Sequence, residues 1–285
     1  AFIGDLDTAG QEEVYVVDLR NGPQTGEAVR ILDAASSFQE AIDLRWSPDG
    51  SKIGIRYDST SGRNEMWVAD VSNLSAPQQA VLVSQPGTSS SEDVYNEYGF
   101  SPDGNWIAWI GDTGRSNQDE IFVVDLSGST PGAPQSCAPS GITTSREVER
   151  DGFLWTPDSR GVIYTADITD AFDPDLYFCD VSTTPVSVTA FPGTTGGTDI
   201  SGNRSMEEKD HMSFSADGTR FAHIGDIRDR FEDDVYVYAY ASGSFTGRTT
   251  VVQAPSSSDT RYFRWAPSGY QILAVGDLAS NGEEE

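Results

Sequence analysis

Cysteine, lysine and histidine are nearly missing from this chain. Cys137 and Cys179 are the only cysteines in 285 residues. Two are too few for a disulfide framework, so they form either one bridge in an oxidising compartment or two buried thiols. His211 and His223 are the only imidazoles, and no His-Glu-x-x-His or Cys/His spacing surrounds them, which argues against zinc. Lys52 and Lys209 are the only lysines among 18 basic residues, against 45 acidic ones, with Asp outnumbering Glu 29 to 16. A net charge of -27 argues against nucleic acid and anionic membranes, which need clustered Lys and Arg. Basic proteins or peptides, cations and neutral ligands fit better. A Lys-poor, Asp-rich surface also suits a saline habitat or a GC-rich genome. No apolar run approaches the ~20 residues that span a bilayer, so no membrane insertion is expected. No secretory leader is visible at Ala1, so the chain reads as mature, excised or intracellular. There is no Gly-x-Ser-x-Gly elbow, no P-loop and no Gly-x-Gly-x-x-Gly. With no such motif, an enzyme is not expected.

What is present is repetition. An aromatic-Ser-Pro-Asp-Gly phrase occurs at Trp46–Gly50 and Phe100–Gly104, and in altered form at Trp155–Asp158, Phe214–Gly218 and Trp265–Gly269, at intervals of 54, 55, 59 and 51 residues. A second phrase ends in Asp58, Asp112, Asp167, Asp226 and Asp277, and an extra copy at Phe2–Asp5 opens the chain. A third is Val14–Asp18, Met66–Asp70, Ile121–Asp125, Leu176–Asp180 and Val235–Tyr238; a weaker fourth is Ala28–Leu32, Ala80–Val83, Val186–Phe191 and Thr249–Val252. Each phrase is short, β-branched or aromatic, and bounded by Gly, Pro, Asp and Ser, which are strand signals. Pro fixes φ inside the linking turn and Gly accepts its strained last position. No segment has a helix-length period of 3.6; Ala34–Ile42 has room for one or two helical turns. With 37% hydrophobic and 11% aromatic residues, the chain can bury a core and is not a disordered acidic tail.

Four antiparallel strands at this period predict an all-β fold, a β-propeller of four-stranded blades. Runs such as Trp106–Ile110 do not alternate because each sheet packs between two others. We expect one propeller domain over 1–285, with units at about 1–33, 34–86, 87–140, 141–193, 194–254 and 255–285. Both ends stop inside a unit. The chain is then either a closed five-blade ring or a stretch of a ring of six to eight blades.

The Ser-Pro-Asp-Gly phrase with its later aromatic-Val-x-Asp strand resembles the WD40-like β-propeller (PD40) repeat. That repeat is found in TolB-type periplasmic proteins and in the propellers of prolyl-oligopeptidase and tricorn-type peptidases. The matching residues are structural: Pro48, Gly50, Pro102, Gly104, Pro157, Gly218, Pro267 and Gly269. Ser159 and Ser268 depart from the pattern where Gly and Asp are due, and the turns are still expected to form. The resemblance implies a TolB-like protein-binding or assembly module in the periplasm, at the cell surface or outside the cell. Its alternative is the substrate-filter propeller of a serine peptidase whose hydrolase lies outside this chain. No catalytic residue carries over.

Candidate sites follow from the repeat. Residues leading into the first strands, Asp43, Glu97, Asp151, Asp210 and His211, should ring one mouth of the channel, where an acidic group attracts a basic peptide or a cation. Arg45, Arg150, Lys209, Arg261 and Arg264 lie near enough in sequence to pair with them. The loops after the second strands are acidic throughout, including Glu13, Glu65, Asp119, Glu120, Asp175 and Asp234. They read as solvated charges that cap strands, or as oxygen ligands for Ca²⁺ at Asp5, Asp7, Glu12, Asp167, Asp170 and Asp173. The first Asp of each loop recurs in every copy, which points to accepting loop N–H groups. No other cofactor is expected. Cys179 stands where other copies have Val, Ala or Tyr, and a bridge to Cys137 would join neighbouring units. Asn73-Leu-Ser75 and Asn203-Arg-Ser205 are glycosylation sequons.

Overall fold

The computed structural model describes residues 1–6, 12–19, 28–33, 39–60, 62–85, 92–113, 117–143, 147–170, 173–191, 211–225, 233–255 and 260–276. They form 21 strands and no helix. Two compact units divide the chain, Ala1–Ser136 and Cys137–Glu285.

The turn phrase builds the same object each time. The Ser47 carbonyl accepts the Gly50 N–H at 2.9 Å, closing the turn. Its hydroxyl donates to Asp49 Oδ1 at 2.6 Å and accepts the Lys52 N–H at 2.9 Å. Asp49 Oδ1 also takes the Ser51 N–H at 3.0 Å. The same set recurs at Ser101 with Asp103 and at Ser215 with Asp217. The hydroxyl donated to each carboxylate, and the N–H beside it, hold Asp49 and Asp217 down at about 2. In the third copy Thr156 supplies the hydroxyl, accepting the Gly161 N–H at 3.1 Å. The fifth has Ala266, and its turn closes on backbone bonds alone. The last turn position is left-handed: φ is 70° at Gly50 and 59° at Ser159. Ser159 therefore adopts the glycine conformation, and the departing turn forms as expected.

These turns join first to second strands in antiparallel sheets. In the first unit, β1 (Phe2–Gly4), β2 (Glu13–Val17) and β3 (Ala28–Leu32) form a three-stranded sheet. Next come four-stranded sheets β4 (Glu40–Trp46), β5 (Lys52–Thr60), β6 (Arg63–Asp70) and β7 (Val81–Leu82), and β8 (Val94–Phe100), β9 (Trp106–Gly111), β10 (Glu120–Asp125) and β11 (Gln135–Ser136). The second unit has β12 (Val148–Trp155), β13 (Gly161–Asp170), β14 (Asp173–Asp180) and β15 (Ser187–Ala190). A second sheet holds β16 (Met212–Phe214), β17 (Arg220–Gly225), β18 (Asp234–Ala241) and β19 (Ser244–Val252), and a pair is formed by β20 (Thr260–Trp265) and β21 (Ile272–Gly276).

Sheets stack face to face. Val14, Ile31, Ile53, Ile55 and Ala69 share one core of the first unit; Met66, Val68, Trp109 and Phe122 share the next. In the second unit Phe178, Phe191, Phe221, Tyr238 and Phe245 pack as one aromatic group. Middle strands such as β9 and β17 bury consecutive residues, because both faces are covered. Three details differ from the sequence reading. The third unit's outer strand, β11, has only two residues and no apolar signal. The strand expected at Thr249–Val252 begins at Ser244. Residues 40–42 are strand rather than helix, and 34–38 lie outside the described residues.

Two glycine substitutions separate turn strain from packing. Nothing lies within 4 Å of a Cβ built on Gly50 or on Gly99, and only Gly50 has a positive φ. Gly50→Ala is expected to lower unfolding free energy by about 1–2 kcal/mol, and Gly99→Ala to leave it unchanged or slightly raised, as read by urea denaturation.

Candidate functional site

The expected mouth residues are distributed over both units. Asp43 lies in β4 and Glu97 in β8, both partly exposed. Asp43 is not a bare charge. Its Oδ2 is 3.4 Å from Arg45 Nε, and its Oδ1 accepts the Leu44 N–H at 2.9 Å. Arg45 reaches across to β8: its guanidinium sits 4.2 Å above the Tyr98 ring, and its N–H groups donate to the carbonyls of Asn96, at 2.9 Å, and Tyr98. Burial, then the Asp43 charge, push the Tyr98 hydroxyl well above the usual tyrosine range. Arg45 thus ties two first strands together and offsets one of the two acids in this unit. In the second unit Asp151 lies in β12, with its side chain outside the described residues. His211 precedes β16, half-buried, and its carbonyl accepts the Ile224 N–H at 2.9 Å. Asp210 lies outside the described residues.

The loop acids divide into two classes, and one overturns the expectation of solvated charge. Glu13, Glu65, Glu120, Asp175 and Asp234 lie at or within two residues of the start of β2, β6, β10, β14 and β18 and are 0–6% exposed. Two residues on, on the same side of the strand, stand Tyr15, Trp67, Phe122, Tyr177 and Tyr236. The Tyr15 hydroxyl donates to Glu13 Oε2 at 3.1 Å, Trp67 Nε1 to Glu65 Oε2 at 3.3 Å, and the Tyr236 hydroxyl to Asp234 Oδ2 at 3.1 Å. Phe122 has nothing to donate, and Glu120 instead takes the Ser136 hydroxyl at 2.5 Å and Gln118 Nε2 at 3.3 Å. Tyr177 is pushed up to about 12 by burial and by the charges of Asp175 and Asp167. A buried carboxylate is tolerated only with donors, and the recurring aromatic supplies one. The signal was in the sequence as an acid-apolar-aromatic phrase, hidden among the other loop acids.

The first loop Asp binds backbone N–H groups at Asp58 and Asp112. Asp58 Oδ2 accepts the Gly62 N–H at 3.0 Å; Asp112 accepts those of Asp93, at 2.6 Å, and Asn117, at 2.8 Å. Asp226 and Asp277 lie outside the described residues. Of the Ca²⁺ set, Asp5 and Glu12 are exposed and Asp167 is buried. Asp170 and Asp173 face each other in register between β13 and β14, with side chains outside the described residues, as is all of Asp7. Among the described residues no three of His, Cys, Asp and Glu are placed to hold a metal ion.

Cys137 and Cys179 are disulfide-bonded and fully buried. The Tyr164 hydroxyl donates to the Cys137 carbonyl. His223 in β17 is fully buried against Phe221, Tyr236 and Tyr238. Its Nδ1 lies 3.2 Å from the Ile224 carbonyl, and burial lowers it to about 4.

No family model matches the chain, and no curated protein does. Among solved structures it is similar to putative TolB from Agrobacterium tumefaciens, 18% identical over 90% of this chain and 76% of that one, with a TM-score of 0.44. It is similar to dipeptidyl peptidase 4 from Porphyromonas gingivalis, 11% identical over 96% and 42% of the two chains, TM-score 0.58. It is also similar to prolyl oligopeptidase B from Galerina marginata, 12% identical over 87% and 36%, TM-score 0.51. The chain spans less than half the length of either peptidase. Together with the four-stranded antiparallel sheets, the two likenesses with TM-scores above 0.5 show a β-propeller fold.

Two measurements follow. The bridge closes a loop 42 residues apart, so replacing both cysteines by serine is expected to cost about 4 kcal/mol, seen as a lower melting temperature that reductant no longer changes. His223 is neutral when folded, whereas in the unfolded chain it gains a proton below its ordinary pKa of 6.5. Stability should therefore fall as pH drops from 6.5 towards 4, by up to about 3 kcal/mol. A His223→Phe variant, compared by denaturation at each pH, should lack that fall.

Proposed function

We propose that the chain is a non-catalytic propeller module that binds a basic protein or peptide outside the cytoplasm. The observation that carries this reading is the charge: 45 acidic residues against 18 basic ones. Part of that acidity is structural, as the buried carboxylates of the third strands are. Partly exposed Glu97 and exposed Glu40 and Glu12 are not buried in this way. Such a surface draws cationic partners and repels anionic ones. The disulfide supports the location, because bridges persist in the periplasm, at cell surfaces and outside cells.

A second reading is favoured by the two likenesses with TM-scores above 0.5, which are to peptidases. In it, the chain is the substrate-filter propeller of a larger hydrolase. The parent gene separates the readings: a Gly-x-Ser-x-Gly elbow with Asp and His beyond this stretch supports the filter, and its absence supports the binding module.

The charge reading has its own test. An oligo-arginine peptide titrated against the chain by fluorescence anisotropy should bind, and binding should weaken by roughly tenfold or more as salt is raised. Oligo-glutamate should not bind. Equal binding of both peptides, or binding indifferent to salt, overturns it.

A further inference from the structure

We infer that Asn73 is an acceptor for an N-linked glycan. Asn73-Leu74-Ser75 is a sequon, with Leu between and Ala76 after, so no proline blocks it. It sits in the turn that leaves β6. Leu74 packs against the core of the first unit, while Asn73 and Ser75 on either side are exposed. The inward residue anchors the turn, and both residues that a transferase must engage are left in solvent.

The repeat does not demand asparagine at this place. At the same place in other sheets, the Asp ending the third strand accepts the N–H two residues on: Asp70 from Ser72 at 2.9 Å, Asp125 from Ser127 at 2.8 Å, Asp180 from Ser182 at 2.8 Å. The residues that follow Ser127 and Ser182 are Gly128 and Thr183, so asparagine is not what this repeat position demands. Asn73 Oδ1 accepts the Ser75 N–H at 3.2 Å. That bond fixes the oxygen end of the amide and leaves Nδ2 as the free end. Glycosylation of Nδ2 keeps the turn bond intact.

Two further features agree. No acidic residue occurs from Val71 to Ser91, so an anionic lipid-linked donor meets little repulsion from this segment. The Cys137–Cys179 bridge points to a chain that matures in an oxidising compartment, on the same side of the membrane as glycan transfer. In the transfer, Nδ2 attacks the anomeric carbon of a lipid-pyrophosphate-linked oligosaccharide. A C–N bond forms, the bond from that carbon to phosphate oxygen breaks, the lipid pyrophosphate leaves, and the amide loses one proton to a base.

The test is secretion of the whole chain from a eukaryotic host that carries the donor, followed by peptide mass spectrometry. The Asn73 peptide should carry hexose and N-acetylhexosamine mass, and peptide-N-glycosidase should convert Asn73 to Asp. Asn73→Gln and Ser75→Ala should each abolish the modification with an unchanged melting temperature, and Ser75→Thr should preserve it. An unmodified Asn73 peptide from secreted, disulfide-bonded protein overturns the assignment. So does glycan mass that persists on this peptide in Ser75→Ala.

Discussion

The inner strands of the complete sheets are buried on both faces, while outer strands such as β15 and β19 meet solvent. β9 and β17 bury nearly every residue, so these strands need apolar cover on both faces. That requirement makes repetition necessary. It also explains why the turn between first and second strands is so uniform: sheets that interleave aromatics such as Phe221, Tyr238 and Phe245 need the same strand offset each time. The Ser hydroxyl, held between Asp49 and the Lys52 N–H and matched at Ser101 and Ser215, sets that offset.

Buried charge follows from the same demand. A strand that begins at the edge of a core brings a side chain near its start indoors. In five sheets a buried carboxylate stands at or within two residues of that start. At Glu13, Glu65, Glu120 and Asp234 an aromatic two residues along the same face, or a neighbouring hydroxyl or amide, donates to it. Acids that look alike in the sequence therefore do different work. Glu13 and Asp234 belong to the core, Asp58 and Asp112 organise loops, and Glu97 and Glu12 face solvent. The net charge of -27 overstates the acidity available to a partner, and the part that remains is what gives the binding reading its chemistry.

Arg45 shows how a site read from sequence changes in three dimensions. Proximity along the chain suggested a pair with Asp43, and that pair exists. The same guanidinium also covers Tyr98 and binds two carbonyls of β8. An apparent ligand-binding acid is thereby half committed to joining strands, a role that depends on residues more than fifty positions away.

The sequence by itself determined the all-β class, the strand order and the turns, because each is specified within a few neighbouring residues. Pro48 and Gly50 need no distant partner to form a turn. It could not separate buried from solvated acids, since burial depends on which sheet covers a loop. It left Cys137 and Cys179 open between bridge and thiols, because their approach depends on the folding of the chain between them. It missed β11, whose two residues are strand only because β10 offers them an edge. Tertiary structure decided these, since each rests on contacts between residues far apart in the chain.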